Sequence, residues 1–175
     1  MTSRARAVGL CLIGVVVTMT IGFVLLQAPF RALETATAAA LLRALGAHRV
    51  QVVQRTSIFV VPLRGGSFRA IVSPSCSSIA SLLAIACLAS LTPRYPWRRR
   101  VIAVGAALAT VALGNILRIA GSIGVGFLAG RSSLVLFHDW VGSVFTFGYT
   151  LGGFILMLYL LLPATTPEPV SVAGG

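Results

Sequence analysis

Long apolar runs separated by short polar or arginine-rich stretches set the pattern of this chain. They extend from Val8 to Leu26, Ser77 to Leu91, Val101 to about Leu128 and Trp140 to Leu162. About 20 apolar residues suffice for a helix to cross a hydrocarbon layer about 30 Å thick. The pattern therefore predicts an all-α polytopic membrane protein with about four transmembrane helices, near 8–26, 77–92, 101–128 and 140–162. The second is short unless its flanks contribute. The basic start at Arg4 and Arg6 followed by an apolar core also fits a signal peptide. The first run is long enough to span and lacks a small-x-small cleavage pattern, which favours a retained helix with a cytoplasmic amino terminus.

Residues 28–75 are more polar and predict a small extracytoplasmic insert, a helix plus a β-hairpin. Ala32 to Leu45 has good helix formers and ends at Gly46, the place where glycine commonly stops a helix. Arg49-Val50-Gln51-Val52 and Ser57-Ile58-Phe59-Val60-Val61 are β-rich. Arg64-Gly65-Gly66-Ser67 supplies a turn, and Phe68-Arg69-Ala70-Ile71-Val72 reads as the return strand. Pro62 suggests that the first strand of this hairpin is an edge. The whole reads as a single membrane domain over 1–163, followed by a disordered tail over 164–175. There is no internal repeat, phosphate-binding glycine loop or low-complexity tract.

Composition agrees. Of 175 residues 57% are hydrophobic, the mean hydropathy is +0.98, and the only acidic residues are Glu34, Asp139 and Glu168. A soluble domain of this length carries far more charge. All 14 basic residues are arginine, giving a net charge of +11. They form no single stripe, which argues against nucleic acid and for anchoring at membrane boundaries. Four of them crowd the short Thr92–Arg100 loop beside Tyr95 and Trp97, which places this loop in the cytoplasm. Against it stand seven arginines on the opposite side, six in the insert plus Arg131, but the rule weakens for long loops.

Candidate chemistry gathers by depth. Cys76 precedes the second span, within Ser73-Pro74-Ser75-Cys76-Ser77-Ser78. Arg118 lies seventeen residues past Val101, about 25 Å along that helix, and His138 precedes the fourth span. All three converge on the outer rim. Each has a bland reading: Cys76 as a small buried residue, Arg118 as a side chain snorkelling to the interface, His138 as an interfacial anchor. Together they suit acyl transfer, with a thiolate favoured at a helix amino terminus, an imidazole to move the proton, and a guanidinium for the oxyanion. Asn115 shares a helix face with Arg118. Asp139 reads as the N-cap of the fourth helix or a partner for Arg118, and His48 as a surface residue. Cys11 and Cys87 sit within apolar runs as small hydrophobes. A helical Cys76–Cys87 disulfide is excluded by a rise of about 16 Å.

Ser75-Cys76-Ser77, Asn115-Ile116-Leu117-Arg118 and His138-Asp139-x-x-Gly142 together resemble the exosortase/archaeosortase family. The likeness extends from about Ala32 to Leu162. It implies a membrane cysteine protease/transpeptidase acting at the extracytoplasmic face, with Cys76, Arg118 and His138 as catalytic residues and Ser75, Asn115 and Asp139 in support. Substrates would be secreted proteins bearing a carboxyl-terminal signal: short motif, transmembrane helix, basic cluster. The acyl group would pass through a thioester to an anchor. No cofactor and no metal are expected. Ser78 departs from the glycine that many members carry two positions after the cysteine, and the chain is shorter than long members. Two other readings compete: a non-catalytic assembly partner or degenerate member, and a small transporter in which Arg118 binds an anion. The latter predicts more polar positions within the spans than this chain has.

Overall fold

The computed structural model describes residues 3–63, 65–90 and 95–162 and is mostly helical. In order come α1 (Ser3–Ala44), β1 (Val50–Gln54), β2 (Ser57–Val60), β3 (Phe68–Ile71), a 3₁₀ turn (Pro74–Cys76), α2 (Ile79–Ser90), α3 (Trp97–Ala129), α4 (Arg131–Leu136), a π turn (Phe137–Val141) and α5 (Gly142–Leu161). The expected tail over 164–175 lies outside the described residues, as do Arg64 of the hairpin turn and Arg94 of the basic loop.

Where the sequence predicts a span at 8–26 and a separate insert helix, the chain forms one helix of 42 residues with Pro29 inside it. Proline removes an amide donor and crowds the carbonyl four residues before it, and the good helix formers on either side carry the helix through it. The predicted stop holds. Gly46 adopts φ 93°, Gly46 N–H donates to the carbonyl of Arg43, and Ala47 N–H donates to that of Leu42, the paired closure that glycine permits after a helix.

The hairpin expectation needs correction. Ser57–Val60 is the middle of a three-stranded antiparallel sheet ordered β1-β2-β3, not an edge. Pro62 lies just beyond it, where no ladder donor is required. The inward residues Val50, Ile58, Val60, Phe68 and Val72 pack on Ala38, Leu42, Ile119 and Ile123 from α1 and α3.

Among the described residues, three helical stretches are long and apolar enough to cross a membrane: Leu12–Ala44, Trp97–Ala129 and Arg131–Leu161. The helix α2, with 12 residues, rises about 18 Å and falls short of the hydrocarbon thickness alone. It runs beside the first half of α3. Near its start Asn115 bonds the carbonyl of Cys76, and near its finish Arg100 bonds the carbonyl of Ala89. Arg99 likewise donates to the carbonyl of Leu160 at 2.7 Å. Two arginines of the basic cluster thus cap the carboxyl ends of α2 and α5, which favour cations. A second apolar cluster holds this end together: Ile85, Ala103, Ala107, Val111, Met157 and Leu161. Gly153 lets α5 approach there, since a Cβ on it would lie 2.9 Å from Val111 and 3.1 Å from the Ala107 carbonyl.

The last stretch also differs from expectation. Helix begins at Arg131, after Gly130 at φ 90°, and continues through His138 and Asp139 to Leu161. Asp139 is therefore no N-cap. Polarity suggests a connection before the fourth span, but Ser132, Ser133, His138 and Asp139 lie within the first turns of this helical stretch.

Candidate functional site

Between the two apolar clusters lies a buried polar layer. Glu34 on α1, Ser78 before α2, and Asn115 and Arg118 on α3 are all at least nine-tenths buried. Along α3 the transition is direct: Val111 belongs to one cluster, Ile119 to the other, and Asn115 and Arg118 fall between. Polar groups removed from water demand partners, and most of these find them in one another.

Oε1 of Glu34 accepts hydrogen bonds from the Ser78 N–H at 3.1 Å, the Ser78 hydroxyl at 2.8 Å and the Asn115 amide at 2.7 Å. Asn115 Nδ2 also donates to the carbonyl of Cys76 at 2.9 Å, and its Oδ1 accepts from Tyr149 Oη at 2.9 Å. One asparagine therefore ties α1, α5 and the Cys76 turn to α3. Glu34 went unremarked in the sequence because its partners are 44 and 81 positions away. A lone acid in a helix rich in small residues was the available signal. Ser78, read as a departure from a family glycine, supplies two of the three bonds to that acid.

Cys76 closes the 3₁₀ turn, three residues before α2 begins rather than at the helix start. Its N–H donates to the Ser73 carbonyl at 3.0 Å. At the start of α2, the Ser78 N–H is taken by Glu34 and the Ile79 N–H by Ser77 Oγ at 3.4 Å. The sulfur is half-buried and lies 3.4 Å from His138 Nε2, across 62 positions, and 3.1 Å from Ser73 Oγ. Ser75 Oγ contacts Ser73 Oγ at 2.8 Å, one step removed from the sulfur. Ser73 is thus the hydroxyl nearest the thiol.

His138 sits in the π turn, whose extra residue widens the helix; such turns are rare and recur at functional sites. Four residues on, a Cβ placed on Gly142 would come within 3.0 Å of Arg118 Nε and 3.6 Å of one Nη. The guanidinium therefore rests close against the turn that follows His138, and a larger residue there would displace it. Arg118 is 8% exposed, and its Nε has no hydrogen-bond partner. Asp139 faces outward, exposed, and makes no ion pair with Arg118. It borders a separate shallow cavity with Arg131 and Trp140. His48 is exposed. No group of three or more His, Cys, Asp or Glu side chains forms a metal site among the described residues.

A cavity of about 220 Å³ opens beside the thiol. Cys76 and His138 border it, together with β3, Ile119, Ile123 and Leu134. This is a multi-pass helical membrane protein with a thiol–imidazole pair at one end of its bundle. The sequence profile of the transmembrane exosortases matches residues 2–161, and the chain belongs to that family, whose character is that of membrane transpeptidases and proteases. No curated protein and no solved structure matches it.

Proposed function

We propose that this chain is an integral-membrane cysteine protease/transpeptidase that cleaves carboxyl-terminal sorting signals of secreted proteins. The observation that carries the reading is the 3.4 Å separation of Cys76 Sγ and His138 Nε2, residues with no local reason to meet. A thiol donating to Nε2 is poised to become a thiolate as the imidazole takes its proton.

The steps follow from these groups. Sulfur attacks the scissile carbonyl while its proton passes to His138. Negative charge develops on the carbonyl oxygen, and Arg118, with a buried unpaired N–H and a fixed positive charge, stabilises it. The tetrahedral adduct collapses, the C–N bond breaks, and the leaving amine takes the proton from His138. An acyl thioester remains on Cys76. An amine or another acceptor then attacks it, giving transfer to an anchor; water gives hydrolysis instead. Asn115 and Glu34 fix the Cys76 backbone, and Ser73 supports the sulfur.

Orientation follows from length and charge. From Trp97 to Arg118 the helix rises about 31 Å, close to the hydrocarbon thickness. The site and the arginine cluster therefore lie at opposite boundaries. With the short basic loop in the cytoplasm, the thiol works at the extracytoplasmic face.

The test is tail removal from a secreted protein of the same cell ending in a short motif, a membrane helix and a basic cluster. Cys76→Ala should abolish removal while the chain still inserts in the membrane. Processing at the wild-type rate would overturn the thiol mechanism.

A further inference from the structure

We propose that the free edge of β3 is the docking strand for the substrate, which adds to the sheet as an extended segment leading to Cys76. This rests on the protease/transpeptidase reading and specifies how that site holds its peptide.

The hydrogen-bond alternation of the sheet identifies the free groups. Val72 N–H donates to the Thr56 carbonyl, and Val61 N–H to the Arg49 carbonyl. In an antiparallel ladder, bonded and non-bonded pairs alternate. With the observed register of Ile58 opposite Ala70 and Val60 opposite Phe68, the β3 residues bonded to β2 are Phe68, Ala70 and Val72. Arg69 and Ile71 then direct their N–H and C=O groups away from β2. No strand pairs with that side among the described residues.

That open side faces the chemistry. Five consecutive residues, 68–72, border the cavity that Cys76 and His138 also border. Alternate side chains of a strand point to opposite faces, so a cavity lined by every residue in succession runs along the strand's edge. Its remaining walls are Ile119, Ile123, Leu134 and Val135, with Ser122 and Arg131, a mainly apolar surface for the side chains of an added strand. After β3 the chain turns through Pro74–Cys76, which puts the sulfur beyond the strand's carboxyl end. Strand addition obtains its affinity from main-chain bonds and its selectivity from pockets for alternate side chains. The occupant is the stretch on the amino-terminal side of the scissile bond, because the tail beyond that bond is membrane helix, while the sheet packs on the part of α3 that follows Arg118.

The experiment uses the full chain in membranes with the tailed secreted protein described above. Ile71→Pro removes one outward N–H and no bond to β2, and proline is tolerated on a free edge. Tail removal should fall about tenfold, the order expected when a buried backbone bond is lost. The same change on the far edge, Val52→Pro, should leave it intact. In a second measurement, Ile71→Cys is combined with Cys76→Ser, Cys11→Ala and Cys87→Ala. Single cysteines are then scanned along the substrate before the scissile bond, and disulfide cross-links are read. Cross-linking is expected to peak at one substrate position, to be weak two positions to either side and to be absent at the positions between, whose side chains point to the other face. A helical period, an unbroken run or no cross-link would overturn strand addition, as would wild-type processing by Ile71→Pro. A lipid chain filling the cavity would produce the last two results. If Ile71→Pro fails to accumulate, the cross-link pattern decides. Processing that survives Cys76→Ala would sink the thiol reading alone.

Discussion

The side-chain amide of Asn115 donates to the backbone carbonyl of Cys76 at 2.9 Å, across 39 positions of sequence. This bond fixes the turn that carries the sulfur to the middle of α3, one helical turn before Arg118. Because the same amide bonds Glu34 and its oxygen bonds Tyr149, a single side chain holds the nucleophile's backbone, the first helix and the last helix in register. Asn115→Leu keeps the volume and removes every one of these bonds. Each buried group left without a partner costs about 1–3 kcal/mol. The variant should melt several degrees lower in detergent and lose tail removal by about 100-fold or more. A melting temperature and rate equal to wild type would mean that the network does not hold the site.

Glu34 allows a sharper separation of acceptor from charge. Its Oε1 receives three donors, while its Oε2 is buried without a partner. Glu34→Gln retains an acceptor oxygen of the same shape and should fold to a similar yield. Glu34→Ala abandons the Ser78 N–H and hydroxyl and the Asn115 amide in an apolar setting, at a cost of about 2–5 kcal/mol. Expression and thermal unfolding of the two variants compare these directly. Equal stability of Glu34→Ala and wild type would remove Glu34 from any positioning role.

Much of the framework was legible because lipid imposes a simple code. Apolar runs located the helices, and Gly46 marked where α1 stops. The order Cys76, Arg118, His138 suggested one rim because helix rise converts position into depth. Tertiary pairing was less visible. Residues 49–52 are β-rich, but their pairing is unmarked: Val50–Gln54 adds a third strand by a two-residue connection through Arg55 and Thr56, which carries neither glycine nor proline to mark a turn. The drop in apolar character after Leu26 looked like a boundary, yet the helix runs on through Pro29 to Ala44, because good helix formers continue past the polar positions. Asp139 looked like a cap because polarity resembles a loop. In space it is the outward face of a helix whose inward face presents His138. Glu34 carried a signal only in being acidic, and its meaning depends on partners from two other segments.

At the opposite end of the bundle, Arg100 Nη2 donates to the Ala89 carbonyl at 2.8 Å. A cation at the carboxyl end of a helix satisfies hydrogen bonding and the helix dipole together. Arg100→Gln should lower stability by about 1–2 kcal/mol while leaving the tail-removal rate per folded molecule unchanged, since Cys76 and His138 lie away from this end of the bundle. Thermal unfolding in detergent, with rates normalised to folded protein, tests this. A rate that falls far more than the folded fraction would mean that the two ends are coupled.

Gly142→Ala separates the position of Arg118 from the stability of the fold. Gly142 has helical dihedrals, φ −60° and ψ −36°, so alanine is conformationally welcome and on propensity alone favours the helix by about 1 kcal/mol. Its methyl would nevertheless stand 3.0 Å from Arg118 Nε, tighter than normal contact, so the guanidinium must move. A shift of a few tenths of an ångström is a small disturbance for packing and a large one for a charge aimed at a developing oxyanion. The expected result is a protein as stable as wild type whose tail removal is slower by about tenfold or more. Arg118→Lys should fall further, since an ammonium cannot reproduce the planar donor fork. If Gly142→Ala cleaves at the wild-type rate, the exact seat of the guanidinium does not matter, and Arg118 acts only as a diffuse positive charge. If both variants retain full activity, Arg118 has no part in stabilising the transition state, and its role reduces to anchoring α3 at the membrane boundary.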